Sequence, residues 1–439
     1  RERSLCALQA SQPQVKLVRS HLAASLLTCS FSYAAELEPL PEPLSLAAAL
    51  KLSALTPAQQ AQMANESLAQ AQLSGVQASD DATIDFRARA RWIDPSYKST
   101  DPSNNDSSAS ITVRKELYDF GQSEAELASS QQSAEAQAFE TKRQKQLAQL
   151  AVMRAFYDVV LSDLAFARDN EWMAIAYIQA DRAKQRNEMG QVNDVDMLAL
   201  EAVSQEVRRR RFESESRQRL TRAQLAIAMG RPGDLVSTVV RPTVELPKED
   251  PEDFDAYWNE VLKNNLQLKR LRQQRDAAKL AVKAAKQSDG PRVVGELDSL
   301  VMNRSTGSTH PFAAGLLFEV PLSRGGRTEA AIASAEAKVT SAEAALRLKE
   351  YELREQALKL WLARSDLRAQ LQEQKAKETY RDVYLDRSRA LYELELKADL
   401  GDAMTKTSEV RLDIARVLFD WAMNEAKIKA MVGRLGEAQ

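Results

Sequence analysis

Side chains that do covalent chemistry are nearly missing from this chain. Its histidines are His21 and His310 and its cysteines Cys6 and Cys29, so no Ser-His-Asp or Cys-His set and no cysteine or histidine metal site can be assembled in its body. Gly325-Gly326 stands between a strand-like and a helix-like stretch but lacks the spaced glycines and lysine of a phosphate loop. Carboxylates abound, yet they alternate with bases as on solvated helix faces. We therefore expect no enzyme, no cofactor and no metal. Patterned charge is what remains. Arg87, Arg89 and Arg91 recur at every second residue, which places them on one face of a strand. Asp194, Asp196, Asp399 and Asp402 gather at two chain reversals, where aspartate caps helix N-termini.

Composition narrows the elements that position these charges. The chain has 439 residues, with 60 Lys/Arg interspersed among 62 Asp/Glu and a net charge of -2, which argues against a nucleic-acid binder. Glycine and proline are scarce at 14 each, so most of the chain should be helix. Aromatic residues make up 6%, so small side chains must do much of the packing. Near the start, Lys16 and Arg19 precede the apolar run Leu22 to Phe31 and Ser32-Tyr33-Ala34-Ala35, the pattern of an export signal over residues 1–34. Leu26-Leu27-Thr28-Cys29 is a weak match to a lipoprotein box, with Thr28 where Gly or Ala is usual. No other stretch approaches the length of apolar helix that spans a bilayer, so any membrane insertion must use strands.

Residues 35–43 read as a Pro-rich linker, and residues 44–229 as a first repeat opening on a helix that breaks at Thr56-Pro57. Over 82–93, Ile84, Phe86, Ala88, Ala90 and Trp92 alternate with Asp85, Arg87, Arg89 and Arg91. That is how a barrel strand reads with lipid on one side and water on the other, or a half-buried strand in a soluble sheet. The arginines either face a lumen or pair with Asp85, Glu116, Glu296 or Asp298 across strands. A polar loop leads to a second strand, 110–119, in which Arg114 and Glu116 share the polar face and Lys115 interrupts the apolar one. Asp119-Phe120-Gly121 closes it. A helix over 121–189 follows, about 100 Å long at 1.5 Å per residue. Met189 to Asp196 reverses the chain into a return helix over 195–229, whose Arg208 to Arg211 run is flanked by Glu206, Glu213 and Glu215. Residues 230–253 link to a second repeat, 254–433, with a helix to about Gln287, strands 291–301 and 311–322 (Glu319 on the polar side), a long helix 327–394 and a return helix 401–432; 434–439 is a tail.

The two repeats superpose at one spacing. Gly121 falls on Gly326 and Asp194 on Asp399, both 205 residues apart. Such agreement over two long helices makes the protein an internal duplication, and its fold class mainly α with a small β section.

Leu117-Tyr118-Asp119-Phe120-Gly121-Gln122 and Val320-Pro321-Leu322-Ser323-Arg324-Gly325-Gly326-Arg327 are similar to the strand-to-helix junctions of the TolC-like outer membrane efflux proteins. Glu188 to Leu198 and Lys397 to Met404 resemble that family's helix reversals, and the resemblance covers nearly the whole chain after residue 34. Ser323-Arg324 and Glu395 depart from its pattern. The resemblance implies a homotrimer in the outer membrane of a Gram-negative bacterium. In it, four strands per protomer enter one shared β-barrel and the helical hairpins form a periplasmic α-barrel. It also implies a periplasmic membrane-fusion adaptor and an inner-membrane transporter of the RND, ABC or MFS type. The duct would serve drug efflux or, alternatively, type I protein secretion. Asp119, Gly121, Gly325 and Gly326 become the junctions; Asp194, Asp196, Asp399 and Asp402 become candidate acids of the periplasmic mouth. Arg87, Arg89, Arg91, Arg114, Glu116 and Glu319 become candidate lumenal charges. A rival of another class is a periplasmic coiled-coil adaptor or scaffold without membrane strands.

Overall fold

A computed structural model of the chain describes residues 38–244, 253–304, 311–394 and 400–436. The expected export signal, with Cys6, His21 and Cys29, lies outside the described residues, as do His310, Glu395 and Asp399. The chain divides into two units, Arg1–Pro39 and Leu40–Gln439, and the elements below belong to the second.

Its first repeat contains α1 (Leu46–Lys51), α2 (Pro57–Ala78), β1 (Thr83–Arg89), β2 (Ser108–Tyr118), α3 (Gln122–Glu188) and α4 (Asp194–Ala228). The second contains α5 (Phe254–Asn264), α6 (Leu266–Gln287), β3 (Arg292–Met302), β4 (Ala313–Glu319), α7 (Arg327–Glu393) and α8 (Leu400–Met431). Helices α3 and α7 are each 67 residues long, and α2 and α6 are each 22. The duplication is thus visible in element lengths.

Local chemistry explains the boundaries. Thr56 starts α2 with a capping box: its hydroxyl accepts the Gln59 N–H at 3.3 Å, its own N–H donates to Gln59 Oε1 at 2.9 Å, and Pro57 takes the first turn. The single helix expected from 254 to 287 is instead two. Asn265 ends α5 and begins α6, its side-chain oxygen accepting the N–H groups of Gln267 and Leu268 at 3.0 and 3.2 Å. Its amide also donates to the Met431 carbonyl at 2.9 Å. A buried asparagine replaces the helical hydrogen bonds there without a proline or glycine to mark the break.

The four strands form one antiparallel sheet in the order β1-β2-β3-β4. The middle pairing joins the repeats, setting Val113 opposite Leu297 and Arg114 opposite Glu296. Strand β1 ends four residues short of the expected 93 because the chain turns out of the ladder, leaving Trp92 in an isolated bridge with Asn105. β4 likewise spans Ala313–Glu319, shorter than 311–322.

Two main cores hold the helices. In the first, Leu44 and α1 cover Phe156, Val159 and Val160 of α3, with Leu225 and Met229 from the end of α4 and Phe419 from α8. Tyr157 stacks on Phe419 with ring centroids 4.7 Å apart. In the second, Tyr157's aromatic role passes to Trp258 and Tyr257 of α5, packed with Leu268, Leu353 and Ile428. Away from these cores many of the buried residues of α3 and α6 are alanines, among them Ala125, Ala134, Ala277 and Ala284, which lets the helices approach closely. Gly401 meets Ile175 of α3 so closely that a Cβ has no room.

Candidate functional site

Register divides the sheet into two unlike faces. Ile84, Val113, Leu297 and Ala314 form one cross-strand row, and Phe86 and Ile111 begin the next, while Val293 and Phe318 close the sheet toward the helices. This apolar face is uncovered: Phe86 is 69%, Leu316 75% and Phe318 63% exposed. Single exposed apolar residues are ordinary, but a contiguous sheet face is an interaction surface. Aromatic residues bound it at both ends. Trp92 is exposed beyond β1, and Tyr118 meets Phe120 edge-on at 4.6 Å beside α3. Among the described residues, no helix is long and apolar enough to cross a membrane.

The opposite face carries the charges. Asp85, Arg87 and Arg89 stand across from Thr112, Ser110 and Ser108, so the ladder brings no acid opposite Arg87 or Arg89. Arg91 has left the ladder and pairs with Asp106 at 2.7 Å, a partner absent from the four acids expected from the sequence. The sequence hides it because Asp106 lies in the loop rather than on a strand. Arg114 reaches Glu319 at 3.4 Å, joining equivalent positions of the two repeats. Arg292 lies 3.8 Å from Glu116 and donates to Gln122 Oε1 at 2.9 Å, which ties the polar face to the start of α3. Beyond the strands, Arg304 donates to Ser99 Oγ at 2.8 Å and the Asp101 carbonyl at 2.6 Å, fastening the β1–β2 loop to the end of β3.

Two glycine junctions carry the sheet into the helices. Phe120 and Gly121 both adopt left-handed backbone, with φ of 59° and 95°, and Gly325 and Gly326 repeat this at 60° and 78°. Glycine relieves the steric penalty a Cβ brings there. Asp119 secures the first turn by accepting the Gly121 N–H at 3.0 Å and the Ser123 N–H. At the second junction Arg324 occupies the corresponding position, and a carboxylate returns from another element. Asp289 accepts the Thr328 hydroxyl at 2.6 Å and pairs with Arg324 at 3.3 Å. Sequence reading missed Asp289 because it precedes β3 and not α7.

Burial works to raise the Asp119 carboxyl, but hydrogen bonds from the Ser123 hydroxyl and N–H and from the Gly121 N–H outweigh it and hold the group below the ordinary carboxylate range. Its contribution to stability is therefore present above that range and is lost as pH falls through the depressed value. Asp119→Asn leaves one acceptor oxygen for the two N–H groups and should cost about 1 kcal/mol at neutral pH, the worth of one hydrogen bond. It should also flatten the acid limb of the thermal-unfolding midpoint against pH. An unaltered acid limb refutes the role.

At the α3–α4 reversal Asn193 is the N-cap, accepting the Asp196 N–H at 2.8 Å. Asp194 and Asp196 sit in the first turn, exposed, and accept the side-chain amides of Asn187 and Asn193 at 2.8 Å each. Asp402 is exposed in the first turn of α8. The structure thus brings Asp194 and Asp196 together. Along α4, Arg209, Arg210 and Arg211 pair with Glu213, Glu206 and Glu215 one turn away, which makes that basic run a self-neutralised helix face. Among the described residues no cluster of His, Cys, Asp or Glu could hold a metal ion.

Known proteins share both the second repeat and the fold. Residues 258–434 match the outer membrane efflux protein family. The Campylobacter jejuni CmeC outer membrane channel superposes with a TM-score of 0.76 at 13% identity, over 90% of this chain and 87% of that one. The Vibrio cholerae outer membrane protein VceC gives 0.69 at 17% identity over 90% and 96%, and CusC gives 0.71 at 15% over 88% and 91%. At these identities the likeness establishes the fold. No curated protein matches the sequence.

Proposed function

We propose that this chain, whose residues 258–434 carry the outer membrane efflux protein domain, is the outer-membrane exit duct of a tripartite efflux system in a Gram-negative bacterium. The observation that carries the reading is the exposed apolar sheet face continuous, through two glycine junctions, with two long helical hairpins. In lipid an apolar face is satisfied and an open strand edge is not. Strands β1 and β4 are the outer strands of the sheet, so β1 of one copy pairs with β4 of the next and the ring closes head to tail. The helices support the same closure. α4 packs chiefly on α3, while α7 packs on α6 and α8, and both present uncovered apolar residues, Phe212 and Leu220 on α4 and Tyr351 and Leu362 on α7. A homotrimer sharing one β-barrel, with its helices in the periplasm, satisfies both edges.

The duct is passive, and the energy comes from an inner-membrane transporter reached through a periplasmic adaptor. The family's efflux character favours small-molecule export over protein secretion. The adaptor reading accounts neither for an uncovered apolar sheet nor for two long hairpins. Arg87, Arg89, Arg114, Glu116 and Glu319 face the barrel lumen, and Arg91, paired with Asp106 beyond the strand, stands at its rim; Asp194, Asp196 and Asp402, with Asp399 expected among them from its place in the sequence alone, line the periplasmic mouth and favour cations.

Membrane fractionation tests the core of this reading, since recovery in the soluble periplasm refutes it. Conductance across planar bilayers then tests the pore. Asp194→Asn combined with Asp402→Asn should move the channel from cation preference toward none, read as a shift in reversal potential across a salt gradient. An unmoved reversal potential removes these acids from the conduction path.

A further inference from the structure

Lys115 contradicts the face it stands on. Among the described strand residues it is the only charged side chain whose register puts it on the apolar face, opposite Gly295 and in line with Leu316. It is exposed, and no hydrogen bond or ion pair engages it among the described residues. The polar face offers no relief, because Arg114, Glu116 and Glu296 point the other way by strand alternation, as does Glu319 on β4.

Small residues flank the lysine. Gly295 lies across from it on β3, and Ala82 just precedes the start of β1 on the other side. Together with Val113, Leu117 and Leu316 they bound a recess of about 550 Å³ whose lining is mostly apolar, with Lys115 its one cation and Glu296, which strand alternation sends toward the polar face, its one acid. Leu117 covers Gly295 at the helix-side end, where a Cβ at 295 would meet it at 3.3 Å.

The depth of the lysine selects the occupant. Lys115 precedes the Asp119 junction by four residues, on the order of 13 Å along the strand at about 3.3 Å per residue. With strands tilted near 45° that is roughly 9 Å of depth, within snorkelling reach of the interface on the helix side. An ammonium in an apolar recess at that level faces lipid phosphate.

We propose that this recess is a phospholipid site: Lys115 binds the headgroup phosphate of an anionic glycerophospholipid in the leaflet nearest the helices, and the acyl chains lie along Val113, Leu297 and Leu316. The site rests on the duct reading, because it requires the apolar face to lie in lipid.

The test uses the assembled full chain purified from membranes and exchanged into nanodiscs of phosphatidylglycerol and phosphatidylcholine, with retained lipid read by native mass spectrometry after mild delipidation. One basic residue near a membrane surface corresponds to roughly a five-fold change in affinity. Lys115→Met should therefore retain roughly five-fold less phosphatidylglycerol, while Lys115→Arg and the loop control Lys98→Met retain it as the parent does. In the unsubstituted protein, phosphatidylglycerol should also shield Lys115 from amine acylation relative to phosphatidylcholine. Equal retention by Lys115→Met, equal loss in Lys98→Met, or acylation indifferent to lipid overturns the proposal. Failure of the duct reading is distinct, since the chain would then not fractionate with membranes at all.

Discussion

Leu297→Arg should empty the membrane fraction of this protein, whereas Leu300→Arg, three residues along the same strand, should leave it there. Leu297 occupies the middle row of the apolar face, between Val113 and Ala314. Leu300 pairs with Ser110 on the charged face. Arginine at the mid-plane of a lipid-facing strand costs about 2–4 kcal/mol. The proposed ring of identical chains incurs that cost in every copy, while an arginine on the water side incurs little. Sucrose-gradient fractionation reads the outcome directly. The paired design separates lipid exposure from general intolerance of β3, because both changes introduce the same side chain on the same strand. Equal loss of both variants would mean that strand parity does not define a lipid face.

The second large effect belongs to the helical region. Phe156→Ala should destabilise the chain by about 3–5 kcal/mol, the cost of emptying a phenylalanine site in a core that relaxes only partly. Phe156 is fully buried, in the cluster that joins α1, α3, α4 and α8. Its neighbour Tyr157 already stacks on Phe419, so that pair is not free to collapse into the void. Leu147, two and a half turns earlier on α3, is 43% exposed, and Leu147→Ala should stay within about 0.5 kcal/mol. Far-UV circular dichroism on heating compares the two. A small effect at Phe156 would mean that the helices are held along their small-residue seams and not at this core.

The helices and the duplication were legible because their signals are local. Capping by Thr56, the long proline-free spans and the recurrence of the glycine junctions each depend on a few neighbouring residues. Alternation likewise exposed two faces of β1 before any partner was known. Asn265 shows where that reading stops. Its interruption of the helix from 254 to 287 depends on burial and on the Met431 carbonyl, which are properties of the packed chain. Asp289 and Asp106 follow the same rule, acting on residues that reach them through the fold.

Sequence alone determined that the chain is a helical duplication and that its strands carry one apolar and one charged face. Period, propensity and composition suffice for those. Tertiary structure decided that the strand pairs of the two repeats join through β2 and β3 into one sheet, that its apolar face is left uncovered, and that Lys115 stands on that face among small residues. Those outcomes depend on which strand meets which and in what register, and pairing between residues some two hundred positions apart leaves no local mark on the chain.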